Sequence, residues 1–262
     1  MPRFVWTHLP GRNERLILPQ GVKFAIVAAL EREAAALIRS CSIVHRPYAG
    51  RTFRFFEQGS SVVVCGGIGP EAARRATEAV IECYQPESVL SVGFAGALDP
   101  ELRVADVVIP SRVVDLQDGS TVQTEMGLGT LISCSFVADS EQKARLARSY
   151  KAHAVDMEAA AVARAAATRS VRFAAIKVIS DEIAFAMLPL DRFIAADGSF
   201  RTAAFVFFVS LRPWLWPRAV RLARNSRRAA NALCRELERL QAGPALFPQL
   251  EPEFHSGRKS QV

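Results

Sequence analysis

Long apolar runs are missing from this 262-residue chain. No stretch approaches the roughly twenty apolar residues that a membrane-crossing helix needs. Cysteine is scarce and scattered: five residues, at 41, 65, 83, 134 and 234, form no CxxC pair. That spacing speaks against zinc frameworks and disulfides and for buried thiols in a reducing compartment, with Cys65 and Cys134 inside strand-like runs. The four histidines, at 8, 45, 153 and 255, form no metal-spaced cluster, so no metal is expected. There is no internal repeat. The amino end carries Arg3, His8, Arg12 and Arg15 without an apolar core, so it does not read as a signal peptide and a cytoplasmic location is expected. Acidic residues are absent from Arg201 to Ala230, where seven arginines (201, 212, 218, 221, 224, 227 and 228) equal the formal +7 of the whole chain. The remainder is near neutral, which argues against a nucleic-acid-binding surface.

What is present suits a buried core. Half of the residues are hydrophobic, and an α/β chain of this length is often a single domain. Residues 1–20 read as a loosely ordered extension, 21–190 as the α/β domain, 191–242 as a helical, basic and aromatic segment packed on it, and 243–262 as a loose tail. Within the domain, strand-like runs at Val22–Ala29, Ser61–Cys65, Val89–Phe94, Asp106–Pro110, Leu131–Val137 and Phe173–Ile179 alternate with helical patterns at Glu31–Ser40, Glu71–Cys83, Ser140–Tyr150 and Asp156–Arg169. A hairpin is expected from Ser42–His45 and Thr52–Phe56, and a surface loop from Asp115–Gly129. The basic residues of Ser140–Tyr150 are expected on its polar face. The alternation predicts an α/β fold with a largely parallel sheet.

The stretch Ala154-Val155-Asp156-Met157-Glu158-Ala159-Ala160-Ala161-Val162 is the centre of the pattern. Two carboxylates in an apolar run need a reason, because a buried charge is costly unless paired. Asp156 stands where a helix N-cap would, and capping alone would account for it. Other acids, Glu31 or Glu33 and Asp181, also fall beyond strands, and open α/β sheets bind ligands at the carboxyl ends of their strands.

Taken together, Ala25–Ala34, Cys65–Ala72, Ser91–Ala105, Ser135–Ser140, Val155–Val162 and Ile179–Asp181 resemble the nucleoside phosphorylase superfamily, nearest to its methylthioadenosine/S-adenosylhomocysteine nucleosidase branch. The resemblance covers roughly residues 22–185. It implies a three-layer α/β/α sandwich around a central mixed, largely parallel sheet, a homo-oligomer (a dimer), an adenine nucleoside as ligand, and no cofactor. It assigns Asp181 to a hydrogen bond or proton at purine N7, which requires that it be held protonated by an apolar site or by the base. Ser180 would orient Asp181. Glu158 would bind the ribose hydroxyls and Met157 pack under the ribose. Phe136 would stack on the base while the Val137 backbone reads its edge, and Glu33 would hold the attacking water. Asp156 and the wall Phe94-Ala95-Gly96 complete the implied site.

Phosphorylases of the superfamily hold phosphate with an arginine and a serine at positions that match Ser91 and Phe94 here, and neither can do so as an Arg–Ser pair would. Water is therefore the expected nucleophile, with phosphate as the alternative co-substrate. The turn Gly66-Gly67-Ile68-Gly69 could still offer backbone amides to an anion, or simply let strand and helix pack. Phe94 also departs from the serine usual in the nucleosidases.

The carboxyl-terminal third is unlike the small-nucleoside enzymes. The run from Asp197-Gly198-Ser199-Phe200-Arg201 through Arg212-Pro213-Trp214-Leu215-Trp216-Pro217 to Arg227-Arg228 resembles the hopanoid-associated phosphorylase subfamily, whose members are linked to removing adenine from adenosylhopane. Tryptophans beside prolines and arginines suit peripheral contact with the inner face of a membrane through residues 203–228. A core helix or an oligomer contact at Ala203–Leu211 explains the same residues. The competing functions are a methylthioadenosine/S-adenosylhomocysteine nucleosidase, a purine nucleoside phosphorylase, and a nucleoside-binding, membrane-associated accessory protein without turnover.

Overall fold

A computed structural model describes residues 22–124 and 126–242. The extension and the tail expected at 1–20 and 243–262 lie outside the described residues.

The strand with the longest reach is β5 (Ser88–Ala97), every residue of which except Phe94 is buried. On one side it pairs in parallel with β1 (Phe24–Ala28), which pairs in parallel with β4 (Ser61–Cys65). The hairpin β2 (Ser42–Tyr48) and β3 (Arg51–Gln58) extends that edge antiparallel. On the other side β5 pairs in parallel along its length with β11 (Arg172–Asp181), whose far edge carries the short β6 (Val107–Val108). Beyond the reach of β1, the end of β5 is met antiparallel by β10 (Ala154–Asp156). From β10 the sheet continues through β9 (Thr130–Ser133), β7 (Arg112–Asp115) and β8 (Thr121–Gln123). The sheet is mixed and largely parallel, and the carboxyl ends of β1, β5, β10 and β11 converge.

Helices cover both faces. The first face takes α2 (Pro70–Tyr84) and α4 (Ala159–Ala167), whose small residues Ala73, Ala76, Ala160 and Ala163 allow close packing on Val27, Val64, Ala95 and Ile179. The second takes the short α1 (Ala35–Ile38) and the far half of α6 (Trp216–Ala242), where Ala229, Ala232, Leu233 and Leu237 cover Ile26, Val63, Val92 and Ile176. The expected three-layer α/β/α sandwich is the fold observed. A third apolar cluster joins α3 (Ser140–Tyr150) to β9 and β10 through Leu146, Ile132 and Val155.

Several boundaries differ from the sequence reading, each for a local reason. The helix expected over Glu31–Ser40 reduces to α1, because the Glu33 carboxylate reaches back to accept the Ala29 and Leu30 amides (3.2 and 3.4 Å) and holds residues 31–34 in turns. The strand expected over Leu131–Val137 ends at Ser133: the Cys134 amide turns to the Asp156 carbonyl and the Val137 amide to the Asp191 side chain. The loop expected over Asp115–Gly129 contains β8, joined to β7 by a turn in which the side chains of Asp115 and Asp118 accept the Gln117 and Ser120 amides. Three residues of strand are too few to show an alternation. Asp156 is the last residue of β10 rather than the N-cap of α4, which is Glu158, yet Asp156 accepts the Ala159 amide at 2.9 Å and serves the helix start from there.

The helix expected at Ala203–Leu211 forms as α5 (Thr202–Ser210), and none of its residues is buried. The core-helix explanation of that segment therefore fails. Phe207 is 67% exposed, Trp214 71%, and Val206, Leu211, Trp216 and Val220 are exposed beside them. Inside the turn, Phe193, Phe200, Phe205 and Phe208 pack ring to ring, and the Arg212 guanidinium lies 3.9 Å over Phe208. No helix among the described residues is long and apolar enough to cross a membrane.

Candidate active site

Where the strand ends converge lies a cavity of about 590 Å³, a size suited to a small-molecule ligand. Every residue that the resemblance assigns to the site lines it: Glu33, Phe94, Ala95, Gly96, Phe136, Val137, Asp156, Met157, Glu158, Ser180 and Asp181; Glu31, the other acid offered after the first strand, is exposed and pairs with Arg54 instead. Their elements explain the convergence. Neighbouring residues in a strand face opposite sides, yet Ser180 and Asp181 both reach the cavity. The register of β11 against β5 shifts between Ile179 and Asp181, and such a bulge re-aims a side chain at the end of a strand.

Two lysines that the sequence reading passed over organise the charges. Lys177, on the α4 side of β11 and 1% exposed, places its ammonium 2.8 Å from Asp156 Oδ2. Asp156 also accepts hydrogen bonds from the Ser133 hydroxyl and the Ala159 amide. It lines the cavity, but both of its oxygens are committed to protein donors, so its part is to fix the start of α4 and hold Lys177. The signal for Lys177 was legible: it is the one charge inside the apolar run Phe173–Ile179.

Burial pushes Glu158 from its ordinary value up to about 7, against the pull of Lys177 and the Gly69 amide. Burial likewise raises Glu33, again opposed by Lys177. Burial alone would lower Lys177; its three carboxylate neighbours Asp156, Glu158 and Glu33 outweigh that and raise it. The buried Asp156 and Glu33 and the half-buried Glu158 thus share one buried ammonium, and all three line the cavity. Gly93 is required here: its φ is +149°, and a Cβ would stand 3.1 Å from Glu33 Oε2 and 3.8 Å from Lys177 Nζ.

The second lysine is Lys143, in the first turn of α3 and also 1% exposed. Its ammonium is paired with Asp181 Oδ2 and donates to the Glu182 carbonyl at 3.1 Å. Of the two expected ways of keeping Asp181 protonated, an apolar site or the base itself, this pairing speaks against the apolar site. The expectation that the basic residues of this helix face solvent fails at Lys143, which shares the buried face with Leu146, three positions on. The Ser180 hydroxyl donates to Asp181 Oδ1 at 2.6 Å.

The glycine turn offers no spare amide. Gly66, Gly67 and Ile68 donate to the carbonyls of Ala28, Ala29 and Gly198, and Gly69 donates to Glu158 Oε1 at 2.9 Å. The anion at this helix start is therefore Glu158. The Val137 amide is also engaged, by Asp191 at 2.9 Å in the 3-10 turn Leu190–Phe193. Sequence reasoning had no signal for Asp191, which arrives from beyond the matching motifs. Among the described residues no group of His, Cys, Asp or Glu could hold a metal ion.

The Phosphorylase superfamily profile matches residues 23–129 and 122–210. The chain belongs to the phosphorylase superfamily. Among its relatives, a 5′-methylthioadenosine/S-adenosylhomocysteine nucleosidase of Treponema pallidum is 26% identical over 223 residues, covering 60% of this chain and 80% of the relative. Among solved structures of similar fold, the 5′-methylthioadenosine/S-adenosyl homocysteine nucleosidase of Helicobacter pylori is 19% identical with a TM-score of 0.61, covering 85% of this chain and 99% of that one. The futalosine hydrolase of the same organism is 19% identical with a TM-score of 0.58, covering 83% and 98%.

The raised carboxylates give this superfamily member a pH signature. A carboxylate that must be ionised to act loses its effect as pH falls through its raised pKa. We expect log kcat/KM for nucleoside cleavage to fall below about pH 7, with the break moved to lower pH in Glu158→Gln, where Glu33 still titrates. A profile flat down to about pH 5, where ordinary carboxylates begin to titrate, would contradict the assigned burial.

Proposed function

We propose that the protein is a hydrolase that cleaves the N-glycosidic bond of an adenine nucleoside carrying a bulky apolar 5′ substituent, with adenosylhopane as the substrate that the sequence resemblance suggests. The observation that carries the reading is the composition of this cavity along its length. At the strand ends it holds Glu33, Glu158 and Asp181; outward it is walled by Ile194, Phe200, Phe205, Val206, Leu222 and Ala223 from the 3-10 turn, α5, α6 and their connection. A nucleoside with its base at the polar end would direct its 5′ carbon toward that apolar wall.

Each proposed role follows from charge. As the C–N bond breaks, positive charge grows on the sugar and negative charge on the base. Glu158 accepts the ribose hydroxyls and, with Glu33 and Asp156, sets negative charge beside the sugar. Glu33 takes a proton from the attacking water. Met157 packs under the ribose and Phe136 against the base. The Val137 amide reads the base edge once Asp191 releases it. Asp181 and its partners face N7. The committed amides of the glycine turn favour water over phosphate, while Arg32 and Arg227 on the cavity wall keep phosphate in the test. The exposed apolar rim of α5 and the Trp214–Trp216 turn, flanked by arginines, would rest on an anionic membrane from which such a substrate is drawn.

The test is a series of 5′-alkylthioadenosines assayed for free adenine with and without phosphate. We expect kcat/KM to rise with chain length, by roughly a factor of three to four per buried methylene at about 0.8 kcal/mol each, independently of phosphate. A preference for methyl over longer chains would favour the second reading, a methylthioadenosine/S-adenosylhomocysteine nucleosidase like the relatives above.

A further inference from the structure

Lys143 stands out among the buried groups because nothing in its helix accounts for it. A cation in the first turn of a helix opposes the positive end of the helix dipole, and a buried ammonium is costly unless paired. The surroundings make room for it nonetheless. Asp139 and Gln142 form a capping box that fixes the start of α3. Opposite, Gly96 leaves a space that a Cβ would close, at 2.8 Å from Lys143 Cε and 3.1 Å from Asp181 Oδ2.

The donors around Asp181 are already placed. Oδ1 accepts the Ser180 hydroxyl, and Oδ2 accepts the Lys143 ammonium. Lys143 has three N–H groups. One goes to Asp181 and one to the Glu182 carbonyl, and the side chain is part of the cavity lining.

We propose that the proton that leaves with the base is supplied by the Lys143 ammonium, with Asp181 as its carboxylate anchor, rather than by a neutral Asp181. The proposal rests on the glycosidase reading above and concerns the acid within it. In the step, the C1′–N9 bond breaks and its electron pair passes into the purine. N7 takes a proton from Lys143 Nζ, directly or through Asp181 Oδ2. Water adds to C1′ and loses a proton to Glu33. Lys143 ends neutral and Glu33 protonated, so charge and protons balance, and solvent exchange restores both.

The experiment compares two substrates. 5′-Methylthioadenosine needs a proton on its leaving base; p-nitrophenyl β-D-ribofuranoside leaves as a stable anion and needs none. Lys143→Met and Lys143→Arg are assayed on both, with thermal unfolding to confirm folding. Lys143→Arg keeps the positive charge against Asp181 but cannot give up a proton near neutral pH. We expect both variants to lose about 100- to 1,000-fold in kcat on 5′-methylthioadenosine, the usual span for a general acid, and to stay within about threefold of wild type on the nitrophenyl riboside. Equal losses on both substrates would mean a structural role and overturn the proposal, as would wild-type rates on both. A wild-type protein that cleaves neither substrate would instead overturn the glycosidase reading, and this inference with it.

Discussion

Lys177→Met should cost the fold about 3–5 kcal/mol, the range for removing one partner of a buried ion pair. Lys177 is the shared counter-charge of Asp156, Glu158 and Glu33. Methionine fills the same volume, so the loss is electrostatic rather than a cavity. Glu158 and Glu33, already raised by burial, would then be driven further toward their protonated forms, which ties the deficit to pH. Lys177 is raised in the fold, so its contribution is present below its ordinary value and is lost only as pH rises through the raised one. Within the neutral range the dependence comes from the carboxylates. The variant should fall furthest behind wild type above about 7, where wild-type Glu158 is ionised, and recover as pH falls and Glu158 and Glu33, both raised by burial, take up protons. Thermal unfolding at several pH values reads this directly. At neutral pH the melting temperature should drop by roughly 10 °C for a chain of this size. A drop of under about 2 °C at pH 8 would mean that the carboxylates do not depend on this lysine.

Glu158→Gln should reduce kcat/KM for a ribonucleoside by about 100- to 10,000-fold. The estimate assumes two ribose hydroxyls, each giving a hydrogen bond to a charged group worth about 1.5–3 kcal/mol, at about 1.4 kcal/mol per tenfold. Glutamine keeps an oxygen to accept the Gly69 amide, so the glycine turn and the start of α4 stay in place and the effect reports on the ligand. The check is a substrate comparison. On 2′,3′-dideoxyadenosine, which lacks both hydroxyls, the same substitution should cost less than about tenfold. Equal losses on the two substrates would separate Glu158 from the ribose hydroxyls.

The parts of the site that were legible in the sequence are those whose chemistry is local. The sequence Asp156-Met157-Glu158 places acids where a strand hands over to a helix, and Ile179-Ser180-Asp181 does the same at the end of β11; the structure brings both to one cavity with Glu33. What escaped were groups defined by partners far along the chain. Lys143 and Asp181 are 38 positions apart, and Val137 and Asp191 are 54. Periodicity could have moved Lys143 to the buried face of α3 through Leu146, but nothing in α3 itself names a carboxylate as its partner. Lys177 was different: a lone charge in a buried strand was visible and was read only as part of the strand. The short α1 escaped because a side chain, Glu33, replaced the helix hydrogen bonds that the residue types favour. The apolar residues of α5 were visible, but their exposure was not, since an all-round apolar helix usually marks a core.

Whether this cavity breaks a ribosidic bond is decided most directly by incubating the wild-type chain and Glu158→Gln with 5′-methylthioadenosine and following free adenine and free reducing sugar by chromatography. The account predicts equimolar adenine and sugar from the wild-type chain in phosphate-free buffer, and a rate lower by at least about 100-fold in the variant. Intact nucleoside after prolonged incubation with the wild-type chain, or the same rate from both proteins, would contradict it.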